Sequence, residues 1–220
     1  MKNVKIITSN HLKTKRNYIE RMINEKVKCM IEAKKYGKNY WDGNRKYGYG
    51  GYRFINGYQT PVALKLIKKF KLTNNSKIID IGCGKGFLLY EIKKILPGIK
   101  IEGIDISRYA KLYAKKEVKN YIKIHKAQKK LSYNTNSFDL AISINCFHNL
   151  QIDELEISLG EFIRISKKQY LAVESYRNEK ELFNLQCWAL TCQSFFNKKE
   201  WIWILNKKKY KGLYEFIYFN

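Results

Sequence analysis

Proline, histidine and acidic side chains are scarce in this 220-residue sequence, which has two prolines, three histidines and 19 acidic against 43 basic residues. Its five cysteines form no C-x-x-C pair, which argues against a zinc site or a disulfide framework and predicts a reduced, cytoplasmic protein without a metal. No apolar run reaches the length of a membrane span, and no signal-peptide core follows Met1, so we expect neither feature.

Lysine, in contrast, is abundant. The formal net charge is +24, yet only seven of the 43 basic residues are arginine, and the lysines occur in nearly every segment. A phosphate-binding surface would carry such a charge, but a joint excess of Lys, Asn and Ile also fits the codon bias of an AT-rich genome. Composition therefore leaves nucleic-acid binding open without requiring it. The 45% of hydrophobic residues predicts a packed globular core.

The sequence is organised around residues 77–87, which read K-I-I-D-I-G-C-G-K-G-F. Apolar residues on both sides of Asp80 indicate a buried strand, the three alternate glycines indicate a tight turn, and a helical pattern follows at once. A strand, a glycine turn and a helix N-terminus form the usual nucleotide-binding edge of α/β domains. The spacing D-x-G-x-G-x-G fits neither the dinucleotide fingerprint nor the Walker A loop.

This spacing resembles motif I of class I S-adenosylmethionine-dependent methyltransferases; an ordinary glycine-rich turn of another Rossmann-like protein is the alternative. The resemblance implies a Rossmann-like α/β fold, with a seven-stranded, mostly parallel sheet, helices on both faces and an antiparallel C-terminal strand. Residues 188–191 and 213–219 would form the terminal hairpin. It also implies S-adenosylmethionine as cofactor, S-adenosylhomocysteine as product, and cofactor contacts from Asp80, Gly82, Cys83, Gly84 and Gly86.

A second acidic residue follows at the expected separation. Residues 99–105 are predicted to form the next strand, and Asp105 lies at its carboxyl end, 19 residues after Gly86. The resemblance makes Asp105 the ligand of the ribose hydroxyls and adds Ile106 to the cofactor site. A helix N-cap, shared with Ser107, is the alternative reading of this carboxylate.

The adenine end departs from the family pattern. Members of the family often carry an acidic residue after the third strand, in a run similar to G-D-A, whereas this sequence reads Lys126-Ala127-Gln128. The resemblance therefore implies recognition by backbone groups of Ala127, with Gln128 beside them, in place of a carboxylate.

The catalytic candidates follow the fourth and fifth predicted strands, over residues 138–144 and 169–174. Ligands of α/β sheets bind outside the carboxyl ends of such strands. His148 is a general-base candidate because its unperturbed pKa lies near working pH, and a packed histidine is the alternative. Glu174 is a second base candidate. The full set is Asn145 (also a cofactor contact), His148, Glu174, Tyr176 and Arg177, the last as a grip for a carboxylate or phosphate. A salt-bridged loop is the alternative for the residues after the fifth strand.

Residues 1–59 are predicted to precede the methyltransferase domain, which we place at residues 60–220. A helix with an apolar face is expected around residues 19–31, packed on the core or on a lid. The segment 36–58 is rich in glycine and tyrosine, and we refer to it below as the Gly/Tyr segment. It is expected to be either a lid over the site or a structural aromatic cluster that braces the N-terminal helix.

These features predict an enzyme that transfers a methyl group from S-adenosylmethionine to a small-molecule acceptor, with anionic and sugar-type acceptors both open. The fourth strand is not followed by an N-P-P-Y-like tetrad, which argues against the class that methylates amino groups of nucleobases or glutamine. An RNA methyltransferase that uses the basic surface and a non-catalytic binding protein of the same fold are the alternatives. The sequence leaves the oligomeric state open.

Overall fold

Parallel strands form the centre of the computed structural model, which describes residues 1–8 and 16–220. The described residues contain seven strands in the order β1-β7-β6-β5-β2-β3-β4, and every neighbouring pair is parallel. All carboxyl ends therefore lie at one edge of the sheet. The strands are β1 (Lys2–Asn3), β2 (Lys77–Ile81), β3 (Lys100–Asp105), β4 (Ile122–Ile124), β5 (Leu140–Ile144), β6 (Gln169–Glu174) and β7 (Leu213–Ile217).

Helices cover both faces of the sheet. The described residues form α1 (Tyr18–Ile23), α2 (Lys26–Ala33), α3 (Lys38–Trp41), α4 (Thr60–Phe70), α5 (Phe87–Ile95), α6 (Arg108–Leu112), α7 (Lys116–Lys119), α8 (Ile152–Arg164), α9 (Glu179–Trp188) and α10 (Lys198–Lys207). None of these helices has the length and apolar character needed to cross a membrane.

Alternation along the central strand explains the two layers of the core. In β2, Ile78 belongs to one buried cluster with Leu66 of α4, while Ile79 belongs to the other cluster with Leu159 of α8. Successive side chains of a strand point to opposite faces, so a strand apolar at nearly every position requires cover on both sides. The predicted α/β fold with a seven-stranded sheet and helices on both faces is confirmed.

The expected antiparallel C-terminal strand is wrong, because β7 pairs with β6 in parallel, from Tyr170 opposite Leu213 to Glu174 opposite Ile217. The hairpin expected from residues 188–191 and 213–219 does not form either, since Trp188 is the last residue of α9. Two helices, α9 and α10, lie between β6 and β7 and return the chain to the edge at which β6 began. A crossover of this kind joins parallel strands, whereas a hairpin needs a short turn.

The N-terminal apolar face packs differently from the prediction. Two short helices replace one long helix, because Glu25 adopts a left-handed conformation (φ 46°) between α1 and α2. After this break, the side of α2 that packs against the rest of the protein is the one that carries Cys29 and Ala33, and these two residues are buried. The apolar residues that the periodicity assigned to a packed face are mostly exposed: Ile19, Met22, Ile23, Val27 and Ile31.

Candidate active site

A cavity of about 390 Å³ lies at the carboxyl edge of β2, β3 and β5. Its volume falls in the range of small-molecule sites. We call it the cofactor cavity, and nine of the predicted cofactor residues line it: Asp80, Gly82, Cys83, Gly84, Asp105, Ile106, Ala127, Gln128 and Asn145. Gly86 does not line it. A Cβ on Gly86 would lie 2.9 Å from Ile122 and 3.1 Å from Val118, so this glycine serves helix packing.

The glycine turn is held in a conformation that side chains rarely adopt. Gly82 and Gly84 have φ values of 80° and 55°, in the left-handed region that favours glycine. A Cβ on Gly84 would also lie 2.8 Å from the ring of Trp41, and one on Gly82 would lie 2.5 Å from Cys146. At these two glycines a side chain would therefore collide with Trp41 and Cys146 of the same chain. The turn and Trp41 together form one wall of the cavity.

Asp105 is almost fully buried at the end of β3 and lines the cofactor cavity. Its carboxylate accepts hydrogen bonds from the backbone N–H groups of Gly84 (2.7 Å) and Ser107 (2.8 Å). Burial raises the pKa of Asp105, and these two N–H groups oppose the rise. A carboxylate offers about four acceptor positions, so Asp105 retains capacity to accept hydrogen bonds from a ligand in the cavity.

Asp80 is the second buried carboxyl group of this cavity. It lies at position four of β2, and burial, followed by the nearby charge of Asp105, raises the pKa of Asp80 to about 7. Within the described part of the chain the side chain of Asp80 has no hydrogen-bond partner. A ligand with a positive group near this position would be favoured, because it would compensate the cost of ionising the carboxyl group.

At the far end of the cavity, Gln128 donates a hydrogen bond of 3.0 Å to Glu154 of α8. His125 and Leu150 also line this end of the cavity. The sequence pointed to Ala127 and Gln128 here, but not to His125, Leu150 or Glu154. The residues at this end come from two loops and a helix that are distant in the sequence. No short motif could have identified them together.

The Gly/Tyr segment lies against the glycine turn. The Trp41 indole donates a hydrogen bond to Ser107 (2.8 Å) and stacks on Tyr49 with ring centroids 5.4 Å apart. The ammonium group of Lys85, inside the glycine turn, contacts Asp42 at 2.6 Å and the carbonyl oxygen of Tyr52 at 2.8 Å. Burial alone would raise the pKa of Asp42, but the hydrogen bonds from Lys85 and Tyr109 lower it below its usual value.

The same segment also packs on the N-terminal helices. Tyr40 and Tyr47 pack against the cluster formed by Cys29, Ala33 and Leu190. Six aromatic residues of the segment line the cofactor cavity: Tyr36, Tyr40, Trp41, Tyr49, Tyr52 and Tyr58. The segment therefore joins the glycine turn to α2 and covers one side of the cavity.

A second cavity of about 370 Å³, which we call the acceptor cavity, adjoins the first. The two cavities share lining residues, among them Asn145, Asn149 and Tyr49. Asn145 adopts a left-handed backbone conformation (φ 55°), which is uncommon outside glycine and often marks a functional position. This strained residue lies where the two cavities meet.

Two of the predicted catalytic residues, His148 and Glu174, line the acceptor cavity together. His148 Nδ1 accepts the backbone N–H of Glu174 (3.1 Å), which places the ring proton on Nε2, 3.4 Å from the Glu174 carboxylate. Burial lowers the pKa of His148 to about 3, so the ring is neutral at working pH. Burial raises the pKa of Glu174 to about 7, against the opposing charge of Arg16.

The structure does not bring Tyr176 or Arg177 to either cavity. Pairing between β6 and β7 continues past Glu174, since the Ser175 N–H donates to the carbonyl of Ile217. Arg177 then forms an ion pair with Glu181, four residues later in α9, and stacks on Tyr218. The expectation that these two side chains point into the crevice is therefore wrong, because local partners hold Arg177 elsewhere.

Within the described residues, no three His, Cys, Asp or Glu side chains converge as metal ligands would.

Comparisons with known proteins agree with this geometry. Residues 72–218 match a family model described as a methyltransferase domain. The fold resembles the partner of the Trm112 methyltransferase activator in a complex from Haloferax volcanii (17% identity, 84% of this chain and 75% of that one, TM-score 0.56). It also resembles geranyl diphosphate C-methyltransferase of Streptomyces coelicolor, solved with S-adenosyl-L-homocysteine (10% identity, 66% and 59%, TM-score 0.53).

A search of the curated proteins found no significant sequence match. At these identities the two solved structures support the fold alone. The family match covers about two thirds of the sequence and includes the glycine turn, Asp105, the fourth predicted strand and Glu174. The chain therefore belongs to the methyltransferase family and is an enzyme that uses S-adenosylmethionine.

Proposed function

We propose that the protein transfers the methyl group of S-adenosylmethionine to a small molecule bound in the acceptor cavity. The observation that supports this most directly is the contact between the two cavities at Asn145. One cavity contains the glycine turn and Asp105, and the other contains a carboxyl group suited to proton transfer. When bound, S-adenosylmethionine supplies an electrophilic methyl group on a positively charged sulfur.

The cofactor cavity has a suitable residue for each polar part of the cofactor. Asp105 accepts the ribose hydroxyl groups with its remaining acceptor positions, and Asp80 faces the positively charged amino group. Arg16 and His125 are the basic side chains among the described residues that line this cavity. Arg16 suits the carboxylate of the methionine part, because guanidinium groups bind carboxylates in a bidentate manner. The backbone around Ala127 and the side chain of Gln128 border the adenine.

In the acceptor cavity, Glu174 acts as the base and His148 positions it. A general base works best with a pKa near the operating pH, which Glu174 has and the neutral His148 does not. The Nε2 proton of His148 faces the Glu174 carboxylate. Orientation of the acceptor behind the methyl carbon provides the larger part of the rate, roughly 7–11 kcal/mol in well-oriented reactions.

A small acceptor is favoured over RNA by the shape of the site. The acceptor cavity is lined by aromatic residues of the Gly/Tyr segment and by residues 188–191, at and after the end of α9. Single-stranded nucleic acid instead binds along open grooves that follow its backbone. The basic surface of the protein remains consistent with RNA, so the test below separates the two.

The test is transfer of a labelled methyl group from S-adenosylmethionine to a cell extract separated into small-molecule and RNA fractions. We expect the label in the small-molecule fraction, at a rate that rises with pH through about 7 as Glu174 ionises. Label confined to RNA would contradict the proposal.

Glu174→Gln is expected to lower the rate by about 10²–10⁴-fold if the acceptor must lose a proton. The matched control is Glu156→Gln, which removes a surface carboxylate of α8 that pairs with Lys208. An unchanged rate in Glu174→Gln, with the same pH profile as the wild type, would remove Glu174 from the mechanism.

A further inference from the structure

Arginine is concentrated in one place in this lysine-rich protein. Seven of the 43 basic residues are arginine, and four of these seven line the acceptor cavity: Arg16, Arg21, Arg45 and Arg53. No lysine of the described residues lines this cavity. Codon bias toward lysine explains an excess of basic residues on the surface, but it does not explain a site from which lysine is missing. Arginine at all four positions indicates a requirement for the guanidinium group.

Three of these guanidinium groups surround a single indole. The guanidinium carbons of Arg16, Arg21 and Arg45 lie 5.3, 4.9 and 5.1 Å from the centre of the Trp188 ring. Contacts of this length are cation–π interactions. Trp188 thus offsets part of the repulsion among three like charges beside the cavity.

Main-chain carbonyl groups orient Arg21 and Arg45 without neutralising them. Arg21 donates to the carbonyls of Arg45 and Trp188, and Arg45 donates to the carbonyl of Gly48. Neither forms an ion pair with a carboxylate of residues 1–8 or 16–220. Burial lowers the pKa of Arg21 to about 10, and the charge of Arg45 adds to this effect. Arg21 is half-buried and Arg45 is exposed beside it. A partly buried charge without a carboxylate partner, next to a second arginine at the cavity, favours an anionic ligand.

We infer that the methyl acceptor is a phosphorylated small molecule whose phosphate or diphosphate group is held by Arg21 and Arg45, with Arg53 at the rim. This inference rests on the proposed function, since it names the substrate class of the acceptor cavity. Arg16, which lines both cavities, is left to the cofactor carboxylate.

A phosphate group matches this cluster better than a single carboxylate. Arg21 and Arg45 each retain N–H groups beyond those given to carbonyls, because a guanidinium has five donors. A phosphate ester presents three oxygens and up to two negative charges, so it can accept from two guanidinium groups at once. The aromatic side chains of Tyr52, Phe54 and Phe87 line the rest of the cavity and suit a ring or an apolar body.

The experiment is calorimetric titration of the protein, saturated with S-adenosylhomocysteine, with pyrophosphate and with inorganic phosphate at constant ionic strength. Malonate serves as the carboxylate probe. The variants are Arg45→Ala, Arg45→Lys and Arg53→Ala, and the matched control is Arg108→Ala, an exposed arginine outside both cavities. Arg53 is exposed and makes no hydrogen bond to the described residues, so its removal leaves the fold unaffected.

We expect pyrophosphate to bind the wild type and the Arg108→Ala control equally, and Arg45→Ala about ten- to a hundredfold more weakly. Arg45→Lys should lose most of the same affinity because it keeps the charge but loses the planar pair of donors. Arg53→Ala should show a smaller loss. S-adenosylhomocysteine affinity should stay constant throughout, which shows that each variant is folded.

Failure of pyrophosphate to bind while S-adenosylhomocysteine binds would overturn this inference and leave the proposed function standing. Equal affinities in Arg45→Ala, Arg53→Ala and Arg108→Ala would overturn it too, as would tighter binding of malonate than of pyrophosphate. Failure of the wild type to bind S-adenosylhomocysteine would instead remove the proposed function.

Discussion

At the scale of single residues, we expect Asp80 to link cofactor binding to stability. Its carboxyl group is buried beside Asp105 and retains a proton up to about pH 7, whereas in the unfolded chain it ionises near pH 4. The folded state therefore holds one more proton than the unfolded state between these values. Stability falls as the pH rises through this window, because ionising Asp80 is costly in the fold.

Asp80→Asn removes this cost and also removes the negative charge proposed to face the cofactor. At pH 8 and without ligand, we expect the variant to be more stable by about 1–3 kcal/mol, which raises Tm by roughly 2–4 °C per kcal/mol for a chain of this size. At pH 4 the two proteins should melt alike. The variant should bind S-adenosylmethionine more weakly at pH 8, measured by calorimetry.

Asp153→Asn is the control for this prediction, since Asp153 is exposed in the first turn of α8. If Asp80→Asn is less stable than the wild type at pH 8, or keeps full affinity for the cofactor, then Asp80 is not a costly buried carboxylate that faces the cofactor. The gain in stability and the loss of binding belong together, because the unfavourable burial of a charge is what a positively charged ligand relieves.

At the scale of elements, Lys85 provides a charged connection between the Gly/Tyr segment and the glycine turn, beside the aromatic contacts of Trp41 and Tyr52. Its ammonium group is buried and contacts both Asp42 and the Tyr52 carbonyl. Because the segment has little regular secondary structure, such contacts decide how firmly it covers the cofactor cavity.

Lys85→Met should loosen the Gly/Tyr segment without disturbing the sheet. We expect faster hydrogen exchange confined to residues 36–58 and about tenfold weaker binding of S-adenosylhomocysteine, since a charged hydrogen-bonded partner of Asp42 is lost. Lys123→Met is the control, because it breaks the exposed ion pair with Glu102 on β3. Unchanged exchange in the segment would show that the segment is held by its aromatic packing, and unchanged affinity would argue against its role as a lid.

The elements also show which features of the fold a sequence can predict. The positions of the glycine turn and of Asp105 were predictable because they depend on local spacing within one βαβ unit. The direction of β7 was not, because it depends on the path of the two helices before it. For Arg177 the salt-bridged alternative describes the structure, and a local signal favoured it, since Glu181 stands four residues later, the ideal distance for an ion pair on a helix.

At the scale of the whole molecule, the partnership of His148 and Glu174 could not be predicted. Twenty-six residues separate them, and only the neighbouring positions of β5 and β6 bring the ring against the carboxylate.

The periodicity of the N-terminal helices indicated an apolar face, but it did not indicate which helix residues would be buried against the rest of the protein. Burial depends on the rest of the structure, and here the break at Glu25 decided it.

The distribution of charge likewise appears only in the folded molecule. The lysines are spread along the sequence, whereas four arginines from residues 16–53 meet at one cavity. Their rarity was visible in the composition, but their convergence depends on the packing of α1 and the Gly/Tyr segment around Trp188. The overall charge of +24 therefore says less about function than the type of basic residue at the site.

The most direct test of this account is calorimetric titration of the whole protein with S-adenosylhomocysteine, for the wild type and for Asp105→Ala. We predict that the wild type binds and that the affinity of the variant is lower by about a hundredfold or more. The reason is that Asp105→Ala removes the carboxylate proposed to accept hydrogen bonds from the two ribose hydroxyl groups. A thermal melt should show that the variant is folded. Absence of binding to the wild type, or equal affinity in both proteins, would contradict the assignment of this cavity to the cofactor.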